Sequence, residues 1–325
     1  MQRLTSRARL TSRLRRRLAG ERGGTAVIFA LLLVPVLGFA AIAVDIGSLY
    51  AEKARLQVAA DAAAIAVAQD CARGNCGDML ATATELVRAN DGEATTLQPQ
   101  LSSSPLAVTV TGSTPKQHWF APVIGHNSTA VTATATVGWG GPTSGTAVLP
   151  LTFSWCEWQQ QTGGGMPSGT TVRTIYFTKT SGTTGCTGPS NNIVPGGFAY
   201  LNTPSNKCEA ASARGDRSYS STGNSVPSVC SPADFSAWIG RTVLLPLFEE
   251  SGDTGANAWY RVYGYAAFKL TGYSLGGQYN TSPKPCTGND RCVSGYFVRF
   301  VELSDAWNYS PDAPQLGASI LRLIR

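Results

Sequence analysis

From Gly23 to Val44 the chain runs for 22 residues without a charge, GGTAVIFALLLVPVLGFAAIAV, between Arg22 and Asp45. A helix of that length covers about 33 Å, enough to cross a bilayer core of about 30 Å. The pattern predicts a transmembrane helix, and Pro35 is tolerated because a membrane helix can bend around one missing hydrogen bond. Asp45 to Gln69 then predicts a second helical stretch, with alanine at nine positions, no proline and a single glycine, Gly47, near the membrane end. Leu49, Leu56, Ala60, Ala63 and Val67 fall on one stripe of it, and Val58, Ala62 and Ile65 on a second stripe nearly opposite. A helix with two apolar faces needs neighbours on both sides. Either it is sandwiched inside its own domain, or a helix of a second protein takes one face.

The pattern changes after Cys71–Cys76. Asp78 can cap another helix whose Met79, Leu80, Ala83, Leu86 and Val87 share a face, with Asn90-Asp-Gly92 as its stop. Leu106–Thr111 and Thr129–Val137 alternate with period two and are rich in Val and Thr, which predicts strands. Gly140-Gly-Pro-Thr-Ser-Gly145 has the composition of a linker. Beyond it, Val148–Phe153, Val172–Phe177, Thr242–Phe248, Trp259–Leu270, Tyr296–Leu303 and Ser319–Ile324 are short apolar runs separated by Gly, Ser, Thr, Pro and Asn. The expected architecture is α+β and membrane-anchored. It comprises a basic cytoplasmic tail (1–22), a transmembrane helix (23–44), a stem helix with a second helix and a small β-element (45–139), a linker (140–146) and a disulfide-stapled, β-rich ectodomain (147–325).

Charge fixes the orientation. Eight arginines and Glu21 give the first 22 residues a net +7, whereas the whole chain carries +6, so everything after them sums to −1. Positive residues stay on the cytoplasmic side, which predicts a single-pass protein of the cytoplasmic membrane with its N-terminus inside and its ectodomain outside. A folded nucleic-acid-binding face is excluded, because phosphate neutralisation needs basic residues gathered on one folded surface. A cleaved signal peptide ending near Ala41-Ile-Ala43 is the rival reading, but the apolar run exceeds the usual length and helix continues beyond it.

All eight cysteines, Cys71, Cys76, Cys156, Cys186, Cys208, Cys230, Cys286 and Cys292, lie beyond the membrane segment, as an oxidising compartment favours. Cys71–Cys76 and Cys286–Cys292 would close short polar turns, so sequential pairing is expected. No CxxC pair supports a zinc ribbon or a thioredoxin-like site.

Catalytic motifs are weak. Gly272-Tyr-Ser-Leu-Gly276 fits the nucleophile-elbow pattern, but no histidine follows it, and His118 and His126 lie far upstream. Glu249-Glu250 and Asp253 lack the spacing of a calcium loop, and Arg214-Gly-Asp216 is a short chance-prone tripeptide. No catalytic residue, metal ligand or cofactor is expected.

The ordered set Glu21-Arg-Gly-Gly-Thr-Ala, apolar span, Asp45-x-Gly47-x-x-Tyr50 and Leu56-Gln57-x-Ala59-Ala60-Asp61-Ala-Ala-Ala64 resembles the N-terminal segment of TadE/TadG-like proteins of the tight-adherence (Flp) pilus assembly system. Weaker likeness continues through Asn90, the Phe120-Ala-Pro-Val-Ile-Gly125 turn and the strand to Val137. The Phe153–Trp158, Gly196–Leu201, Leu245–Phe248 and Cys292–Phe297 segments look like the cysteine-bearing ectodomain of such proteins in Gram-positive bacteria. The resemblance implies a non-catalytic membrane accessory of pilus assembly, with assembly-platform proteins or pilins as partners. Ile28 and Phe29 stand where prepilin processing needs glutamate, so the chain is expected to stay uncut, like TadG. Longer relatives carry a metal-binding D-x-S-x-S string, which Asp216–Ser220 fits without the buried strand that should precede it.

The expected partner-contact residues are Asp45, Gly47, Tyr50, Leu56, Gln57, Ala60 and Asp61. Asp45 and Tyr50 would mark the membrane–water boundary, Ala60 would allow close helix approach and Asp61 would fix register. The competing class is a surface-binding module on a membrane tether, with Trp155, Trp158, Tyr263, Tyr265 and Tyr273 available to an unknown surface ligand.

Overall fold

The computed structural model describes residues 6–181, 185–220 and 222–324, with side chains from Gly23 onward, so the arginine side chains of segment 1–22 lie outside the described residues. Helix α1, Ser6–Ala72, is continuous through Pro35. Every residue from Gly23 to Ala40 is exposed, as an apolar helix facing lipid requires. The Cys71–Cys76 disulfide closes the turn into helix α2, Met79–Asn90, and the Asp78 carboxylate caps α2 by accepting from Ala81 N at 3.0 Å.

Strand Leu106–Gln117 pairs antiparallel with the first part of strand Ser128–Ala147, and this hairpin lies along α1. Period-two alternation sends Val108, Val110, Val131, Ala133, Ala135 and Val137 onto Leu56, Ala60, Ala63, Ala64, Val67 and Ala68 of the helix. On the opposite face Thr109 bonds Thr136 and Thr111 bonds Thr134, each at 2.9 Å. Small helical side chains let the sheet approach closely. At Gly112 an added Cβ would stand 3.0 Å from Leu56 Cδ1.

The segment 140–146, expected as a linker, is strand. It completes Ser128–Ala147, which pairs in turn with Ala318–Ile324, Asn308–Ser310 and Ala210–Ala213. Its glycines serve close approach rather than flexibility. A Cβ on Gly140 would collide with the Ser310 carbonyl, one on Gly145 with the Trp307 ring, and one on Gly138 would lie 2.6 Å from Ile324 Cδ1. The boundary at 147 is likewise bridged, because Ala318–Ile324 returns to the stem's sheet and carries Phe300–Leu303 parallel at its outer edge. Arg299 adds a tie, donating to the carbonyls of Arg73 at the end of α1 and of Pro167.

Among the described residues a second sheet has seven strands, ordered Arg173–Tyr176, Cys292–Val298, Trp259–Ser274, Thr242–Gly252, Leu151–Ser154, Phe198–Tyr200, with Arg217–Tyr219 beside Trp259–Ser274. One face of it presents Leu244, Val262, Tyr265 and Ala267 to Trp307, Ala318 and Ile320 of the first sheet. The other presents Val243, Leu245 and Phe268 to a core containing Phe153, Phe198, Phe235 and Phe297. The short helix Trp155–Thr162, absent from the strand-only pattern, starts where Ser154 Oγ accepts from Cys156 N.

Four disulfides join Cys71 to Cys76, Cys156 to Cys186, Cys208 to Cys230 and Cys286 to Cys292, in sequential order. Cys286–Cys292 spans 6 residues, so replacing both by serine is expected to cost about 2 kcal/mol from loop-closure entropy alone. Urea unfolding of the full chain in detergent would measure the loss. No change in midpoint would show that the link constrains nothing.

Candidate functional site

The stem helix and the hairpin lying along it bring together the residues at the outer end of the apolar span. Asp45 follows that span directly, and its carboxylate is buried by the hairpin tip. The tip is a short 3-10 turn, Ala121–Ile124, closed by Gly125 at φ 90. Asp45 Oδ1 accepts from Trp119 N at 2.8 Å, and Oδ2 accepts from Phe120 N at 3.1 Å and Ala121 N at 2.8 Å. Burial pushes the Asp45 carboxyl up, but these backbone donors and the nearby His118 outweigh it and hold the group below its usual range. Asp45 therefore clamps a turn that lies 74 to 76 residues away in sequence.

Two helical turns further on, Glu52 is buried and accepts from Lys116 Nζ at 2.8 Å, with Arg55 at 3.9 Å. Lys53 donates to the Thr132 carbonyl. Gln57 donates to Asp61 at 2.8 Å and to the Thr134 carbonyl at 3.1 Å. Gln57 and Asp61 thus tie the helix to its own sheet edge.

The expected contact set divides by face. Leu56 and Ala60, expected to contact a partner, are fully buried in the stem's own core, where their neighbours include Val and Ala side chains of the hairpin. Gly47 and Tyr50 are exposed, and a Cβ on Gly47 would meet nothing within 4 Å. With Ala54 and Val58 they continue one outward stripe, which Ala62 and Ile65 prolong half-covered. The second apolar stripe of the sequence is therefore the open one.

The other motifs sit in structural settings. Ser274 lies on strand Trp259–Ser274 and donates to Asn280 Oδ1. His118 and His126 flank the hairpin tip, and His118 Nε2 bonds the Thr129 hydroxyl at 2.8 Å. Glu250 pairs with Arg261 at 2.8 Å, and Glu249 receives Ser190 Oγ at 2.9 Å. Arg217 of the Asp216–Ser220 string lies 3.8 Å over the Trp259 ring. Of the five aromatics available to a surface ligand, Trp158, Tyr265 and Tyr273 are buried in the core, and Trp155 and Tyr263 pack half-buried against it. Among the described residues no three His, Cys, Asp or Glu side chains gather as a metal site.

Sequence reasoning did not find the Glu52–Lys116 pair or the tip clamp, since both join residues more than 60 positions apart. The legible signal was Trp119-Phe-Ala-Pro-Val-Ile124, an apolar run between two histidines in an otherwise polar hairpin.

Residues 23–70 match the family model described as "Putative Flp pilus-assembly TadE/G-like". No curated protein and no solved structure matches the chain. The matched stretch is the apolar span of α1 together with the part that packs on the hairpin. A TadE/G-like domain supports a role in Flp pilus assembly, and with the apolar helix it supports membrane anchoring.

Proposed function

We propose that this chain, through the TadE/G-like domain in residues 23–70, is a single-pass, non-catalytic structural accessory of an Flp pilus assembly machine. Its N-terminus stays in the cytoplasm, and its stem and disulfide-bonded ectodomain project outward. The observation that carries this reading is the coincidence of the family match with a helix that is apolar and exposed from Gly23 to Ala40 and covered on one face beyond Asp45. The uncovered face bears Gly47, Tyr50, Ala54 and Val58, where the small Gly47 and Ala54 permit a neighbouring helix to come close between Tyr50 and Val58. A pilin or an assembly-platform helix fits that stripe.

Photo-crosslinking amino acids at Tyr50 and Val58 in intact cells of the native host test it. Both positions are expected to capture a pilus component, and a probe at buried Ala60 to capture none. Recovery of no pilus component from either outward position would overturn the proposed partner.

A further inference from the structure

The hairpin tip shows four large apolar side chains within six residues: Trp119 is 75% exposed, Phe120 47%, Val123 90% and Ile124 74%. A cluster of this kind on a soluble surface marks a contact with an apolar partner. Three observations identify the partner as the bilayer that holds α1. First, the Asp45 clamp fixes the tip at the end of the apolar span, where the helix leaves the membrane. Second, Ala41, one turn earlier on the same face as Asp45, is the one residue of 23–44 that is half-buried, which sets the tip alongside the last turn of the span.

Third, six backbone N–H groups in and around the turn are paired within the protein. The N–H groups of Trp119, Phe120 and Ala121 go to Asp45. Those of Val123, Gly125 and His126 go to the carbonyls of Phe120, Pro122 and Ala121, and Pro122 has no N–H. Segments that enter the apolar layer must pair their backbone donors internally, because lipid offers no water to do so. An ordinary exposed loop has no such requirement.

We infer that the Trp119–Ile124 turn is a second membrane contact, seated in the outer interface beside α1 with Trp119 at headgroup level. The inference rests on the membrane-anchored reading above. Its consequence is mechanical: one helix can swivel about its axis and tilt, whereas a helix plus a seated tip fixes how stem and ectodomain stand on the membrane. The outward stripe would then face neighbours in the membrane plane at a defined rotation.

The test uses the full chain with Val123→Cys, labelled with an environment-sensitive fluorophore and reconstituted into phosphatidylcholine–phosphatidylglycerol vesicles containing no other protein. The native cysteines are all in disulfides, so the new thiol is the one labelled. Val123→Cys is expected to show blue-shifted emission and quenching by spin-labelled lipid several-fold above that by aqueous iodide. Ile193→Cys, exposed on the ectodomain, is expected to show the reverse.

Carbonate extraction tells the two readings apart. A chain that washes out overturns the anchor and the tip together, whereas a retained chain whose Val123 label behaves like the Ile193 label overturns the tip alone. A label that is aqueous in vesicles but protected in host cells identifies a protein partner and also overturns the lipid contact.

Discussion

Replacing Gly140 by valine is expected to destabilise the chain by about 3 kcal/mol, at the upper end of overpacking costs. The position lies where strand Ser128–Ala147 passes from the stem hairpin to the ectodomain, with Ile320 as its register partner. Its Cβ would collide with the Ser310 carbonyl and lie 2.8 Å from Pro311 N, and both are backbone atoms that cannot rotate aside. Relief would require parting Asn308–Ser310 from the long strand, which would expose the layer containing Trp307, Ala318 and Ile320. Gly169→Ala is the control, since a Cβ there meets nothing within 4 Å, and it is expected to stay within about 0.5 kcal/mol. Thermal unfolding of both variants in detergent decides the matter. Equal melting of the two would mean that the segment is a flexible connection after all.

That position also explains where sequence reading stopped. The apolar span, the stem helix and the Asp78-capped helix announce themselves within a dozen residues, because helical spacing and caps are local signals. The Val/Thr alternation of Leu106–Thr111 and Thr129–Val137 is local too, though the strands run on to Gln117 and Ala147. Glycine is ambiguous: the same residue serves a linker and a crowded strand, and only the neighbours at Gly138, Gly140 and Gly145 distinguish them. Those neighbours come from residues 307–324, more than 160 positions later, and no local pattern announces them.

The stem shows the same limit in its side chains. The two apolar stripes were readable, but which one the chain covers itself depended on where the hairpin docks. Leu56 and Ala60 went inward and Val58 stayed out. Asp45 stood in the recognisable string, yet its role is set by three N–H groups of a distant turn. Tyr50, by contrast, stands exposed one turn beyond it.

Lys116→Met is expected to cost about 3 kcal/mol at neutral pH. Removing one partner from a buried ion pair typically costs ~3–5 kcal/mol, and the low end applies because the Lys116 side chain is 29% exposed and partly screened. Lys116 is the leading reason that the Glu52 carboxyl titrates below its ordinary value, ahead of the opposing effect of burial. Asp91 lies beside Glu52 at the end of α2. Its carboxyl is raised, first by burial and then by the neighbouring Glu52 carboxylate, and its Oδ2 is buried without a hydrogen-bond partner. Without the lysine two buried carboxyls would face each other with only Arg55 nearby, at 3.9 Å. The pH dependence follows from the signs. The lowered Glu52 stabilises the fold above the ordinary carboxylate range and loses that contribution as pH falls through its folded value. The raised Asp91 burdens the fold at neutral pH, and the burden lifts as it takes up a proton. Both trends act in one direction on the comparison: the gap between wild type and Lys116→Met should be widest near pH 7 and narrow toward about pH 3, as Asp91 and then the lowered Glu52 take up protons. Lys116→Arg, which keeps the charge, should recover most of the loss. Denaturation at the two pH values would show a constant gap if Lys116 contributed only its methylene packing, and that result would remove the ion pair from the account of how the hairpin is held against the stem.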